Sequence, residues 1–134
     1  MKFLHTMIRV TNIEDSLEFY CQKLGLVEIR RKDVPEGKFT LIFLAAPEDE
    51  NTAIQTRSPE IELTYNWDQK TAYEHGNSFG HLAIAVPNAY KTCDNLEKDG
   101  IYIPRPAGPM KGSERVIAFI EDPDGYKIEL VQRD

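Results

Sequence analysis

The fold is decided by the stretch DPDGYKIELV, residues 122–131, close to the end of the chain. Its first four residues predict a turn, because proline presets one turn dihedral and glycine accepts a positive φ. The residues that follow alternate, which predicts a strand whose apolar face carries Tyr126, Ile128 and Leu130. Glu129 lies on the opposite face. A lone carboxylate there is ordinary on a half-exposed sheet, so Glu129 gains significance only from the rest of the chain.

That significance comes from an internal repeat. His5 in LHTMIRV (4–10) and His81 in GHLAIAV (80–86) lie 76 residues apart. Other pairs that match at this spacing are Val10 and Val86, Asn12 and Asn88, and Phe43 and Phe119. Each half also contains Ile-Glu-Leu, centred on Glu62 and Glu129, and this spacing falls to 67 because the loop before the first copy is longer. Each half therefore begins with a histidine-bearing strand and ends with a glutamate-bearing strand.

The order of predicted elements is the same in both halves. In the first half, a helix capped by Asn12 follows a strand at 3–10, and further strands are expected at 26–32, 39–45 and 60–66, with a polar loop at 47–59. In the second half, a helix capped by Asn88 follows a strand at 79–86, and the remaining elements are strands at 101–104, 115–120 and 126–131, with a loop at 107–112. We therefore expect an α+β fold of two tandem β-α-β-β-β modules in a single domain, 1–134, with module 1 at about 1–67 and module 2 at about 79–134.

Composition narrows the function classes. The chain has 134 residues, of which 41% are hydrophobic and 28% charged, as in an ordinary globular protein. Its net charge of −6 argues against nucleic-acid binding, which usually requires a basic excess. No apolar run approaches the roughly 18 residues that span a bilayer, and no signal peptide is recognisable, so we expect a cytoplasmic protein without a membrane partner. Cys21 and Cys93 are not at equivalent repeat positions and are expected to be reduced thiols.

Two histidines and two glutamates in equivalent strands form a candidate metal site. Imidazole nitrogens and carboxylate oxygens suit divalent nickel, cobalt, zinc, manganese or iron. Two carboxylates also neutralise a dication, which lowers the cost of placing its charge in a cavity. The four side chains converge if the modules face each other across a pseudo-two-fold axis: His5, Glu62, His81 and Glu129. The third histidine, His75, has no repeat partner and is expected to be exposed to solvent.

These motifs resemble the glyoxalase I (lactoylglutathione lyase) family of the vicinal oxygen chelate superfamily. The resembling stretches are LHTMIRV at 4–10, ELTYNW at 62–67, GH at 80–81 and DPDGYKIE at 122–129. The resemblance covers nearly the whole chain and implies the paired-module fold, a metal bound by the four residues named above, and a homodimer with active sites at the subunit interface. The compact length resembles the bacterial type, which implies one nickel or cobalt ion per site, with zinc possible.

The resemblance also implies a reaction. The substrate is the hemithioacetal of methylglyoxal and glutathione, and the product is S-D-lactoylglutathione, so the reaction detoxifies methylglyoxal. A C–H beside a carbonyl is a poor acid, and a metal that binds the two vicinal oxygens stabilises the enediolate. A carboxylate then moves the proton between adjacent carbons. We expect Glu129 to be the principal base and Glu62 to serve the opposite face.

Glutathione carries carboxylates that need anchors. Arg9 lies four residues beyond His5 on the same strand face, and Asn66 stands in the same relation to Glu62, which corresponds to roughly 13 Å along a strand. In the family, an arginine and an asparagine at these matching positions contact glutathione.

Further along the chain, Arg105 and Lys111 are additional candidates for binding glutathione. Many relatives, mainly of the longer type, have another arginine just before the Gly-His motif, whereas residues 76–79 here contain none. This difference leaves the natural thiol open.

Other chemistries on this fold remain alternatives. An extradiol dioxygenase or a thiol transferase typically uses two histidines and one glutamate, so Glu62 as a fourth ligand argues against both. An acyl-thioester epimerase is closer, but it is expected to lack LTYNW at 63–67. A metal-free protein that sequesters a small ligand is an alternative from another class, and it has no reason to retain all four ligands.

Overall fold

The computed structural model describes residues 1–134. The chain folds into two compact units, Met1–Tyr73 and Glu74–Asp134. Each unit contains one four-stranded mixed sheet and few helices. The α+β architecture of two tandem modules is therefore confirmed. The boundary between the units falls within the polar link, 67–78, that follows the first glutamate-bearing strand.

The first unit contains the longer set of elements. In chain order they are β1 (His5–Val10), α1 (Ile13–Leu17), a π-helical turn (Glu18–Lys23), β2 (Val27–Val34), β3 (Phe39–Ala45), a 3₁₀ turn (Pro47–Asp49), α2 (Glu50–Thr56) and β4 (Glu60–Asn66). The strand order is β1-β4-β3-β2. β1 and β4 are parallel and the other pairs are antiparallel, so the histidine-bearing and glutamate-bearing strands are neighbours.

The second unit repeats this plan without the helical insertion before the last strand. Its elements are β5 (Leu82–Val86), α3 (Ala89–Lys98), β6 (Arg105–Pro109), β7 (Val116–Glu121) and β8 (Lys127–Gln132). The strand order, β5-β8-β7-β6, is the equivalent of the first sheet, and β5 and β8 are again parallel.

Equivalent asparagines begin the first helix of each unit, as predicted. The side chain of Asn12 accepts a hydrogen bond from the Asp15 backbone N–H at 2.9 Å, and Asn88 accepts one from Lys91 at 2.9 Å. Each cap satisfies an N–H group that has no partner within the helix.

The prediction of a loop at 47–59 is wrong in part, because these residues include the 3₁₀ turn and α2. Pro47 occupies the first turn, where its missing N–H costs nothing. Within α2 only Ala53 is buried, while Ile54 is 59% exposed. A helix that buries one small residue has no apolar stripe, so its sequence lacks the helical periodicity on which prediction depends.

The sixth strand also differs from its prediction. It occupies Arg105–Pro109, whose last three residues fall in the loop expected at 107–112, and 101–104 is not a strand. β6 is the edge of its sheet and its register shifts between Arg105 and Gly108, which marks a bulge. An edge strand tolerates Pro106, because a proline there removes no hydrogen bond from a central ladder.

The turn at 122–125 has the predicted conformation. Gly125 has φ +87°, and its N–H donates to the Asp122 carbonyl at 3.0 Å. The Asp122 carboxylate accepts hydrogen bonds from the N–H groups of Asp124 and Tyr126, at 2.9 and 2.8 Å. These bonds fix the start of β8 and thus the direction in which Glu129 points.

None of the helices combines the length and the apolar character that crossing a bilayer requires.

Candidate active site

The strand register places the histidine and the glutamate in the same way in each unit. Met7 lies opposite Glu62 in the β1–β4 pair, and Ala83 lies opposite Glu129 in the β5–β8 pair. Met7 and Ala83 are themselves equivalent at the spacing of 76. In each unit, the histidine lies two residues before the residue that is paired with the glutamate. Because side chains two residues apart on a strand point to the same face, the histidine and the glutamate lie on one face of the sheet.

The two side chains of each pair are in contact. His5 Nε2 lies 2.7 Å from Glu62 Oε2, and His81 Nε2 lies 3.0 Å from Glu129 Oε2. The glutamate side chains are only 11% and 17% exposed, whereas the histidines are 31% and 42% exposed. The carboxylates are thus held within the sheet surface, and the imidazoles face outward beside them.

A phenylalanine supports each histidine. The ring of Phe43 meets His5 edge-on, with centroids 5.6 Å apart, and Phe119 meets His81 in the same way at 5.3 Å. Both phenylalanines lie directly opposite the glutamate of their unit. Their match at the spacing of 76 was a usable sequence signal for this supporting role, because the phenyl edge restricts the imidazole orientation that faces the carboxylate.

The donor set of each pair fits a shared divalent ion. Two donors at about 2.1 Å from an ion and at right angles to each other lie about 3.0 Å apart, close to both Nε2–Oε2 distances. No group of three or more histidine, cysteine, aspartate and glutamate side chains forms a metal cluster in the structure. Each unit therefore offers two ligands of the predicted four, in matching geometry.

The predicted anchors in the first unit lie on the strands that carry His5 and Glu62. Arg9 is exposed on β1, opposite Thr64 of β4. Asn66, half-buried at the end of β4, donates from Nδ2 to the Tyr73 hydroxyl at 2.9 Å. This bond fixes the orientation of the amide, and no sequence pattern indicates it.

Of the two predicted anchors in the second unit, Arg105 is hydrogen-bonded to the backbone and Lys111 is exposed. The Arg105 guanidinium donates to backbone carbonyls, among them Ile117 at 2.7 Å and Pro109 at 3.0 Å. These bonds hold the bulged edge strand β6 on β7. Lys111 is exposed in the turn that follows β6.

A cavity of about 400 Å³ lies beside His81 within the second unit. Phe79, Pro104 and Phe119 form part of its wall, together with Arg105 and Lys127. Lys127 is a functional candidate that the sequence interpretation missed. Its signal was its position two residues before Glu129, on the same face of the final strand.

His75 is not exposed in the way the sequence predicted. Its ring stacks on Tyr126 with centroids 4.2 Å apart, and Phe79 packs against Tyr126 edge-on. His75 Nε2 is buried and has no hydrogen-bond partner. The prediction failed because nothing in the polar composition of 67–78 indicates that His75 packs against the start of β8.

The two cysteines are free thiols, as expected. Burial is the main cause that raises the pKa of both thiols above its usual value. Nearby carboxylates act in the same direction, Glu28 for Cys21, and Asp94 and Glu97 for Cys93. Arg31 beside Cys21 acts in the opposite direction, but the net shift of both thiol pKa values is upward, which does not favour the thiolate form of a catalytic nucleophile.

Comparison with known proteins agrees with this arrangement. Residues 2–130 match the model of the Glyoxalase/Bleomycin resistance protein/Dioxygenase superfamily. The chain is 49% identical to a lactoylglutathione lyase from Neisseria meningitidis serogroup A over 133 residues, which cover 99% of this chain and 91% of the relative.

Two solved structures are similar to the chain. Glyoxalase I from Zea mays has a TM-score of 0.86 and 41% identity; the match covers 97% of this chain and 44% of the maize chain, so this chain spans less than half its length. The trypanothione-dependent glyoxalase I from Leishmania major has a TM-score of 0.81 and 38% identity, covering 98% of this chain and 86% of its own.

Proposed function

Because the chain belongs to the Glyoxalase/Bleomycin resistance protein/Dioxygenase superfamily, we propose that it is a lactoylglutathione lyase. It isomerises the hemithioacetal of methylglyoxal and glutathione to S-D-lactoylglutathione. The observation that carries this proposal is the pair of matching His–Glu contacts, His5–Glu62 and His81–Glu129, one in each unit. The similarity to a lactoylglutathione lyase and to a glyoxalase I favours this activity over that of an acyl-thioester epimerase or a metal-free binding protein.

Four residues would hold the divalent metal that lactoylglutathione lyase activity implies: His5, Glu62, His81 and Glu129. Their nitrogen and oxygen donors suit nickel or cobalt, which we propose as the preferred ions, with zinc as a functional substitute. When bound, the ion supplies Lewis-acid polarisation of the two neighbouring substrate oxygens. The two carboxylates offset its charge.

Glu129 is the proposed base. It removes the proton from the carbon that bears sulfur and returns it to the adjacent carbon, while the hydroxyl proton passes to the other oxygen, so the reaction is a net isomerisation. Its carboxylate is mostly shielded from water beside His81, which favours retention of the proton between the two transfers. Glu62, in the matching position of the first unit, serves the opposite face.

The thiol is held by the polar residues around the pairs. Arg9 and Asn66 are the proposed anchors in the first unit, with the Asn66 amide oriented by Tyr73. Lys111 and Arg105 are the proposed anchors in the second unit. The trypanothione dependence stated for the Leishmania major relative makes the thiol a variable to test in this chain.

The proposed assembly is a cytoplasmic homodimer with active sites at the subunit interface. Two ligands per unit are too few for a stable site, because such metals are generally bound by three or four protein ligands. Joining the pair of one unit to the pair of another completes the set. If the site is shared between subunits, the two His–Glu pairs of one site come from two copies of the chain.

The activity is tested by depleting the purified protein of metal and restoring nickel, cobalt or zinc separately. Thioester formation from methylglyoxal and glutathione is followed by ultraviolet absorbance. The proposal predicts no activity after depletion and recovery with nickel or cobalt. No thioester with any ion, despite bound metal, would contradict glutathione-dependent isomerisation, and the same samples would then be assayed with trypanothione.

A further inference from the structure

One face of the first sheet carries a row of side chains that runs from one edge strand to the other. His5 of β1 is paired with Glu60 of β4. Glu62, two residues further along β4, is paired with Phe43 of β3, which is paired with Arg30 of β2. Paired residues and residues two apart on a strand point to the same side of a sheet. The row therefore links the proposed ligand His5 to Arg30 at the opposite edge.

The far end of this row is fixed by an ion pair. Both terminal nitrogens of the Arg30 guanidinium donate to the Glu60 carboxylate, with Nη2 at 2.9 Å. The Glu60 side chain is 0% exposed and the Arg30 side chain is 31% exposed. Two parallel hydrogen bonds fix the plane of the guanidinium as well as its position. Because breaking the pair would leave an uncompensated buried carboxylate, the guanidinium is held in this one orientation.

The fixed guanidinium contacts the ring that supports the histidine. The guanidinium carbon of Arg30 lies 3.8 Å from the centroid of the Phe43 ring, over its face. Attraction between the cation and the ring face holds Phe43 in place. Phe43 meets the His5 ring at 78° with centroids 5.6 Å apart, and His5 Nε2 lies 2.7 Å from Glu62 Oε2. A continuous series of contacts thus runs from the buried carboxylate to the ligand nitrogen.

The second unit has a different arrangement at the equivalent positions. Arg105 is paired with Phe119, but its guanidinium donates to backbone carbonyls of β6 and β7. The position equivalent to the buried carboxylate is occupied by Lys127, two residues before Glu129. His81 is 42% exposed against 31% for the histidine of the first unit, and its contact with Glu129 is 0.3 Å longer, at 3.0 Å against 2.7 Å. The less supported histidine is therefore also the more exposed one.

We propose that Glu60, Arg30 and Phe43 form a brace that positions the ligand nitrogen of His5. The inference rests on the proposed function, since His5 is a metal ligand only there. The imidazole is then oriented before an ion binds, so binding does not have to order it, and the affinity for the ion is higher. The ligand pair of the first unit is the more rigid of the two. Glu129 is then the less constrained carboxylate, which suits a base that follows the proton from one carbon to the next.

The test removes the brace without leaving a buried charge. Arg30→Met combined with Glu60→Leu replaces both charged groups with apolar groups of similar size, which is expected to preserve the fold. Cobalt is titrated into the metal-free protein, and we expect the double variant to bind it about 10–100-fold more weakly than wild type. Arg31→Met, which removes the neighbouring exposed pair with Glu28, is the matched control and should bind cobalt like wild type.

A second measurement reports the orientation of His5 directly. In the metal-free protein, the nuclear Overhauser effect between the ring protons of His5 and Phe43 should be strong in wild type and in Arg31→Met, and weak in the double variant. An ion pair that only stabilised the fold would change the free energy of unfolding, which urea denaturation measures on the same samples, without weakening this ring signal.

The outcomes separate the brace from the metal site. Wild-type cobalt affinity together with an unchanged ring signal in the double variant would overturn the inference. A raised KM at saturating cobalt, with unchanged cobalt affinity, would also overturn it, because Arg30 would then act on the substrate directly. A wild-type protein that binds no cobalt would contradict the proposed metal site instead, and the ring signal would still decide whether the brace orients His5.

Discussion

At the scale of single residues, the proposed reaction depends most on Glu129, whose Oε2 lies 3.0 Å from His81 Nε2. Glu129→Gln retains an oxygen donor but removes the base, so kcat should fall by about 10²–10⁴-fold while much of the bound metal is kept. Steady-state kinetics and elemental analysis on the same sample measure both. Glu97→Gln, on α3, is the control. A near-wild-type kcat in Glu129→Gln would remove Glu129 from this role.

A second prediction at this scale concerns the buried pair of Arg30 and Glu60. Glu60→Ala leaves the guanidinium of Arg30 without its partner in a half-buried position, so we expect unfolding to be easier by about 2–4 kcal/mol. Glu28→Ala breaks the exposed pair with Arg31 and should cost less than about 1 kcal/mol. Urea denaturation measures both, and equal losses in the two variants would contradict the structural role of Glu60.

At the scale of elements, the predicted strands at 39–45 and 60–66 agree with β3 and β4, and both asparagine caps form. These features depend on local pattern, which the sequence carries directly. The π-helical turn at 18–23, α2 and the position of β6 were not predicted, because each depends on contacts with the rest of its unit. β6 in particular is held by the Arg105 side chain rather than by strand propensity.

The same division holds within the candidate site. The two His–Glu pairs followed from the repeat, because equivalent positions in a duplicated fold carry equivalent registers. The cavity beside His81 and the Arg30–Glu60 pair did not follow, because arginine, glutamate and lysine in a strand sequence are indistinguishable from ordinary surface charges until their partners are known.

A prediction at the element scale uses the cap of α3. Asn88→Ala removes the hydrogen bond to the Lys91 N–H, and we expect a loss of about 1 kcal/mol in the free energy of unfolding. Asn88→Asp keeps an accepting oxygen and should restore most of the stability. Thermal or urea unfolding measures the two variants. An unchanged stability of Asn88→Ala would show that the cap does not contribute.

At the scale of the whole molecule, the proposed sharing of sites between subunits can be tested by complementation. One variant carries His5→Ala and Glu62→Ala, and the other carries His81→Ala and Glu129→Ala. If each site joins pairs from two chains, refolding an equal mixture should recover about a quarter of wild-type activity, because half the dimers are mixed and each has one intact site. No recovery, with mixed dimers demonstrated by mass, would contradict sharing between subunits.

The proposed metal site requires that the two His–Glu pairs bind one metal ion together. The most direct measurement is the nickel or cobalt content per chain, by elemental analysis after equilibration and removal of free ion, in wild type and in each variant that lacks one pair. We expect about one ion per chain in wild type and its loss in both variants, because two remaining ligands hold a divalent ion too weakly. Full metal content after removal of either pair would show that the two pairs do not bind one ion together.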